Sequence, residues 1–93
     1  MKQKIYRVFD DEWEAIYGKN QLIHFACEQI KEHEDDYIEE NGAFENIDEK
    51  DVENYKSLVD FCLKSALPFV DSVKFCKWAL SVRHYEIEEL IVY

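Results

Sequence analysis

Three observations predict an α+β domain of order ββαααβ. Two short alternating runs of apolar and polar residues open the chain, three stretches of helical period fill its middle, and one more alternating run closes it. The layout that follows is a small, mostly antiparallel sheet with helices on one face. Two glycines and one proline in the whole chain leave no room for a linker, so residues 1–93 are read as one compact domain. At 47% hydrophobic and 15% aromatic residues the chain lies well outside the composition of disordered proteins.

Lys4 to Phe9 alternate with residue types that favour strands. Alternation resumes from Glu12 to Tyr17, where Trp13, Ala15 and Tyr17 share a face. Asp10-Asp11 between them reads as the turn of a hairpin, which Gly18 ends. Asn20 is a suitable helix cap, and Ile23, Ala26, Ile30, His33 and Tyr37 then recur at intervals of three and four, the stripe of a first helix running to Asn41-Gly42. A second helix starts at Asp48. Ile47 and Val52 form its hydrophobic staple, Asp51 occupies its third position, and Val52, Tyr55, Leu58, Val59, Cys62 and Leu63 form its buried stripe. Pro68 stops it. A third helix begins near Asp71 and is apolar over most of its circumference, which predicts burial of Trp78 either within one chain or in a symmetric homodimer. The last strand runs from His84 and ends in Leu90-Ile91-Val92-Tyr93, an apolar run that predicts cover on both faces.

No apolar run approaches the roughly 18 residues of a membrane span, and no signal sequence opens the chain, so the expectation is a soluble, cytoplasmic protein. The three cysteines, Cys27, Cys62 and Cys76, include no C-x-x-C pair and read as reduced thiols in the core. His24 and Cys27 are spaced i, i+3, but the pattern asks for no metal, and His24 is read as a core histidine. The segment from Glu39 to Asp51 lacks the spacing of a calcium loop. There is no glycine-rich phosphate loop, and the four serines fall in helical pattern without a nucleophile elbow. The expectation is a protein that is not an enzyme and needs no cofactor.

Charge is the most uneven property of this chain. Residues Glu28 to Asp60 hold thirteen carboxylates against three lysines, which accounts for the entire net charge of −10, while each flank has four acids and four bases. Glu28, Glu32, Asp35 and Glu39 repeat at four, three and four, a ladder opposite the apolar stripe, with Asp36 and Glu40 in an adjacent row and Glu45, Asp48 and Glu49 beyond. Like charges at i, i+4 oppose helix formation by a few tenths of a kcal/mol each, at roughly the scale of an exposed ion pair, and acids at a helix C-terminus face the negative end of its dipole. Local stability therefore gives no reason for the ladder. Solubility is one reason and recognition another.

A regular row of carboxylates presents charge in the manner of a nucleic-acid backbone, and a surface built to hold DNA or RNA accepts it as a competitor. In size, acidity and compact α+β layout, and through the block Glu28 to Glu40, the chain resembles the small inhibitors that bacteriophages and mobile elements encode against host nucleic-acid enzymes, among them anti-CRISPR proteins and uracil-glycosylase inhibitors. The resemblance is one of character, carried by no motif. It implies a non-enzymatic inhibitor that binds a basic, nucleic-acid-binding protein such as a CRISPR effector, without touching nucleic acid or membrane itself. The alternative is an interaction or assembly module whose aromatic surface, Trp13, Tyr17, Trp78 and Tyr85, docks a partner while the acids serve solubility.

Overall fold

The computed structural model describes residues 3–37, 42–45, 47–64 and 73–92. The expected order is present: β1 (Gln3–Phe9), β2 (Glu14–Tyr17), α1 (Lys19–Glu32), a 3-10 turn (Glu34–Tyr37), α2 (Glu49–Lys64), α3 (Val73–Val82) and β3 (Glu86–Val92). The sheet is antiparallel with strand order β2-β1-β3. α1 and α3 pack against it, and α2 packs on α1.

The hairpin closes through Asp10, whose N–H donates to the Trp13 carbonyl at 2.9 Å and whose carboxylate accepts the Glu12 N–H at 2.8 Å. That local bonding is the ordinary reason aspartate favours turns. Register places Tyr6 opposite Tyr17 and Val8 opposite Ala15, with Val8 also opposite Ile87, so these residues share the helix-facing side of the sheet. Val8 is 0% exposed there. On the opposite side Arg7 pairs with Glu14 at 2.9 Å and lies 3.9 Å from the centre of the Phe9 ring.

β3 departs from expectation. It is an edge strand, with Ile91 49% and Val92 45% exposed, rather than one covered on both faces. β3 pairs with β1 alone among the described strands. β2 has four residues and reaches only half of β1, whereas β3 pairs with β1 along all seven, and β1, which both share, takes the centre. An apolar run marked the end of β1's partner and not a central strand.

α1 also differs at both ends. Its cap is Gly18, not Asn20; the glycine offers no side-chain acceptor, and the Gln21 side chain makes only the returning half of a capping box by accepting the Gly18 N–H at 2.9 Å. Leu22, Ala26, Cys27 and Ile30 are the most deeply buried residues, so Ala26 and Ile30 hold the places expected of them while Leu22 takes the place expected of Ile23, which is half-buried. The helix stops at His33 instead of running to Asn41-Gly42. Four carboxylates at its negative end, Glu32 with Glu34, Asp35 and Asp36, disfavour a further α-turn. The 3-10 turn meanwhile buries Tyr37, whose hydroxyl donates to the Ala79 carbonyl, and brings Asp36 to Arg83 at 2.5 Å. The earlier reach of this helix beyond Tyr37, like Pro68 and Asp71, lies outside the described residues.

The other helices follow the pattern. Asp48 precedes α2, its carbonyl accepting the N–H of Asp51 at 2.9 Å and of Val52 at 3.2 Å, and Tyr55, Val59 and Cys62 are buried. α3 buries Phe75, Cys76, Trp78, Ala79 and Leu80 within the chain, so of the two placements expected for Trp78 the intramolecular one is present. Its last turn closes with the Tyr85 N–H on the Leu80 carbonyl at 3.0 Å and the His84 N–H on the Ser81 carbonyl at 2.9 Å. That double bond pattern needs a left-handed residue, and His84 adopts it at φ 67.

All three thiols are buried and free, with the Cys27 Sγ 3.6 Å from the Cys62 carbonyl oxygen. Burial, aided by neighbouring Cys27, pushes the Cys76 thiol up to about 12 and raises that of Cys62 as well. Unfolding returns these groups to the ordinary thiol range, so above about pH 9 the unfolded chain sheds protons that the folded chain keeps. Stability is therefore complete below that range and falls as pH rises toward 12, by about 1.4 kcal/mol per pH unit for each such thiol. Urea unfolding is expected to give the same midpoint at pH 7 and 8 and a lower one at pH 10. In parallel, the native protein is expected to resist a thiol reagent that modifies it promptly in urea. Prompt modification of the native protein would contradict the burial.

Candidate functional site

Packing leaves the acidic block on the outside. Glu28 and Glu32 are exposed on α1, Glu34 and Asp35 on the 3-10 turn, and Glu45, Asp48, Glu49 and Glu53 before and along α2. The ladder is shorter than its spacing implied. α1 ends at Glu32, so Asp35 sits on a backbone of different pitch and the i, i+4 register does not extend past the helix. Glu39 and Glu40 lie outside the described residues.

Pairing divides these carboxylates into three kinds. Two are neutralised from α3 and the turn that ends it, Asp51 by Lys74 on the helix at 2.9 Å and Asp36 by Arg83 just after it, and both are only partly exposed. They clamp α3 to the loop and to α2, so Asp36 belongs to the fold more than to a free surface. The Asp51 contact holds the Lys74 ammonium above its usual range. Others have a local reason for their position. Asp48 and Glu49 lie at the start of α2, where a helix favours negative charge, and Glu45 folds back over Gly42, its Oε1 2.7 Å from where a Cβ there would stand. Gly42 has φ 76, and this crowding comes on top of that backbone restriction. Glu28 accepts from His24 Nε2 at 2.9 Å, which places His24 on the exposed face and not in the core as its spacing suggested.

Glu32, Glu34, Asp35 and Glu53 remain. They are exposed and have no cation partner among the described residues; Glu53 stands alone on α2, while Glu32 ends α1, where the helix dipole disfavours it, and Glu34 and Asp35 follow in the 3-10 turn. The sheet handles its acids differently: Glu14 and Glu88 face Arg7 at 2.9 and 4.0 Å, and Glu89 faces Lys4 at 3.1 Å. The Arg7 contact draws the Glu14 carboxyl below its usual range.

The four aromatics read as one surface divide into two groups. Trp78 is core. Its ring centre lies 5.2 Å from Phe44, 5.1 Å from Tyr55, 5.6 Å from Phe75 and 5.8 Å from Tyr37, and its indole N–H donates to the Ala43 carbonyl at 3.2 Å. Trp13, Tyr17 and Tyr85 gather instead around Phe25 on α1, at 5.5, 5.3 and 5.7 Å. Phe25 escaped the reading of the sequence, although its position off the buried stripe of α1 was a usable signal. Trp13 is 39% exposed, just before β2, and shares the side of Ala15 and Tyr17 as the alternation implied. Burial, then the nearby charge of Glu28, raises the Tyr17 hydroxyl.

Two shallow hollows flank this cluster. One, of about 390 Å³, is lined by Tyr17, His24, Phe25 and Glu28 among others, and the second, of about 640 Å³, by Asp10, Asp11, Glu12, His84, Tyr85 and Glu86. Among the described residues no three His, Cys, Asp or Glu side chains are grouped to hold a metal, and no helix is long and apolar enough to cross a membrane. Comparison with protein-family models, curated proteins and solved structures finds no match to this chain.

Proposed function

We propose that the protein is a non-enzymatic acidic binder that occupies a basic, nucleic-acid-binding surface of a partner protein and inhibits it, in the manner of an anti-CRISPR protein or another nucleic-acid mimic. One observation carries the reading: Glu32, Glu34 and Asp35 crowd the junction of α1 and the 3-10 turn, exposed and without a cation among the described residues, with Glu32 in the last turn of α1 where the helix dipole disfavours it. Three of the four acids of the sheet, Glu14, Glu88 and Glu89, face Arg7 or Lys4, whereas most acids of the block that lie among the described residues have no such partner. A concentrated field of one sign speeds encounter with a surface of the other and repels nucleic acid itself.

The test is displacement. Labelled DNA or guide RNA is bound to each of a panel of purified nucleic-acid-binding proteins, a CRISPR effector and a uracil-DNA glycosylase among them, and the protein is added at low and at high salt. The expected result is competitive displacement from at least one member, weakening as salt rises. Retention of lysozyme, a basic protein without a nucleic-acid channel, as strong as any member of the panel would contradict the reading, as would a panel left wholly undisturbed.

A further inference from the structure

We propose that the cluster of Trp13, Tyr17, Phe25 and Tyr85 is an arginine-docking platform, on which a guanidinium of the basic partner stacks against the exposed part of the Trp13 indole while neighbouring carboxylates balance its charge. The inference rests on the partner being basic, but not on the acidic block being where that partner binds. Trp13 is held for such a contact. Phe25 stacks against it with planes 26° apart, Tyr85 meets it edge-on at 5.6 Å, and the Asp10 N–H fixes its carbonyl at 2.9 Å. A rigid ring with much of its surface in water loses little freedom when it is covered, which is why tryptophan and tyrosine concentrate binding energy at interface centres.

The rim determines what covers it. Asp11, Glu12 and Glu86 line the hollow that Tyr85 shares, Asp11 and Glu12 with no cation partner among the described residues and Glu86 within electrostatic reach of Arg7, and Glu28 borders the hollow on the Tyr17 side. An aromatic face bordered by carboxylates attracts a cation twice, through the ring quadrupole and through charge. Arginine fits better than lysine, since its planar guanidinium stacks on an indole and still donates sideways to a carboxylate. A second copy of this chain fits poorly, because a two-fold contact across the patch would bring the same carboxylates of both copies together. The left-handed turn at His84 places Tyr85 here, and the aspartate turn places Trp13, so two local devices far apart in sequence converge on one patch.

The probe is an acetylated, amidated peptide of alternating glycine and arginine, with lysine and citrulline versions as controls. Its binding is followed by calorimetry and by the resonance of the Trp13 indole N–H. The expected result is that the arginine peptide moves that resonance and binds more tightly than the lysine peptide, while the uncharged citrulline peptide fails. Trp13→Ala is expected to weaken binding about tenfold, Trp13→Phe to keep most of it, and the pair Asp11→Asn and Glu12→Gln, which disturbs no ring, to weaken it severalfold. Unchanged affinity in Trp13→Ala, equal binding of the citrulline peptide, or no binding to the wild type would each overturn the proposal. A variant carrying Glu32→Gln, Glu34→Gln and Asp35→Asn separates the two readings. If it binds the peptide as the wild type does yet displaces nucleic acid equally well from the panel, the platform stands and the acidic block falls as the site.

Discussion

Replacing Trp78 with alanine is expected to lower stability by about 3–5 kcal/mol, a large share of the roughly 5–15 kcal/mol that holds a domain of this kind together. The loss has three parts. The indole is only 9% exposed, it touches four aromatic rings, those of Tyr37 in the 3-10 turn, Phe44 before α2, Tyr55 on α2 and Phe75 on α3, and its N–H satisfies the Ala43 carbonyl. Alanine forfeits the ring contacts, leaves a cavity among them and unpairs that carbonyl. For a domain of this size each kcal/mol moves the melting temperature by about 4–8 °C, so the drop should exceed 10 °C. Trp78→Phe keeps a ring in the cavity and gives up the hydrogen bond, and is expected to lose much less. Thermal melts followed by circular dichroism compare the three proteins. A Trp78→Ala melt within about 5 °C of the wild type would contradict the placement of Trp78 at the centre of the core.

That placement also shows where sequence reading stopped. Periodicity separates buried from exposed positions on one element, and it found the hairpin, the three helices and the final strand. It cannot tell which of two cores an aromatic joins. Trp13 and Trp78 looked alike as members of one surface until α1 brought Phe25 to the first and the loop at Phe44 reached the second. Strand order escaped for a similar reason, since β3 is placed by its pairing with β1 alone, which its own hydrophobicity does not disclose. The end of α1 escaped because a tertiary pair, Asp36 with Arg83, and the burial of Tyr37 outweighed a continuing helical pattern. The acidic block was legible as charge. Its internal differences were not: Asp36 and Asp51 are structural through Arg83 just after α3 and Lys74 on it, which no spacing within the block discloses.

The second large effect concerns binding. Glu32→Gln, Glu34→Gln and Asp35→Asn together remove three charges of the net −10 and touch no buried contact. The fold is expected to keep its stability or gain a few tenths of a kcal/mol, at roughly the scale of an acid removed from a helix C-terminus. Affinity for a basic partner is expected to fall about 10- to 100-fold, chiefly through slower association, because the lost field acts over the approach as well as in the complex. Changing Lys74 and Lys77 to alanine gives a comparison of similar charge change and opposite sign. It breaks the Lys74 contact to Asp51 and is expected to cost stability more than affinity.

The central claim is that the bare carboxylates at the end of α1 bind a basic surface, and its most direct test is the association rate of the wild type and of the triple variant, measured at 50 and 300 mM salt, with whichever panel protein is displaced from its nucleic acid. The account predicts that the wild type associates much faster at low salt and loses that advantage at high salt, while the variant is slower at low salt and changes little between the two. Equal rates and equal salt dependence for the two proteins would contradict it and leave the acids as a solvated face.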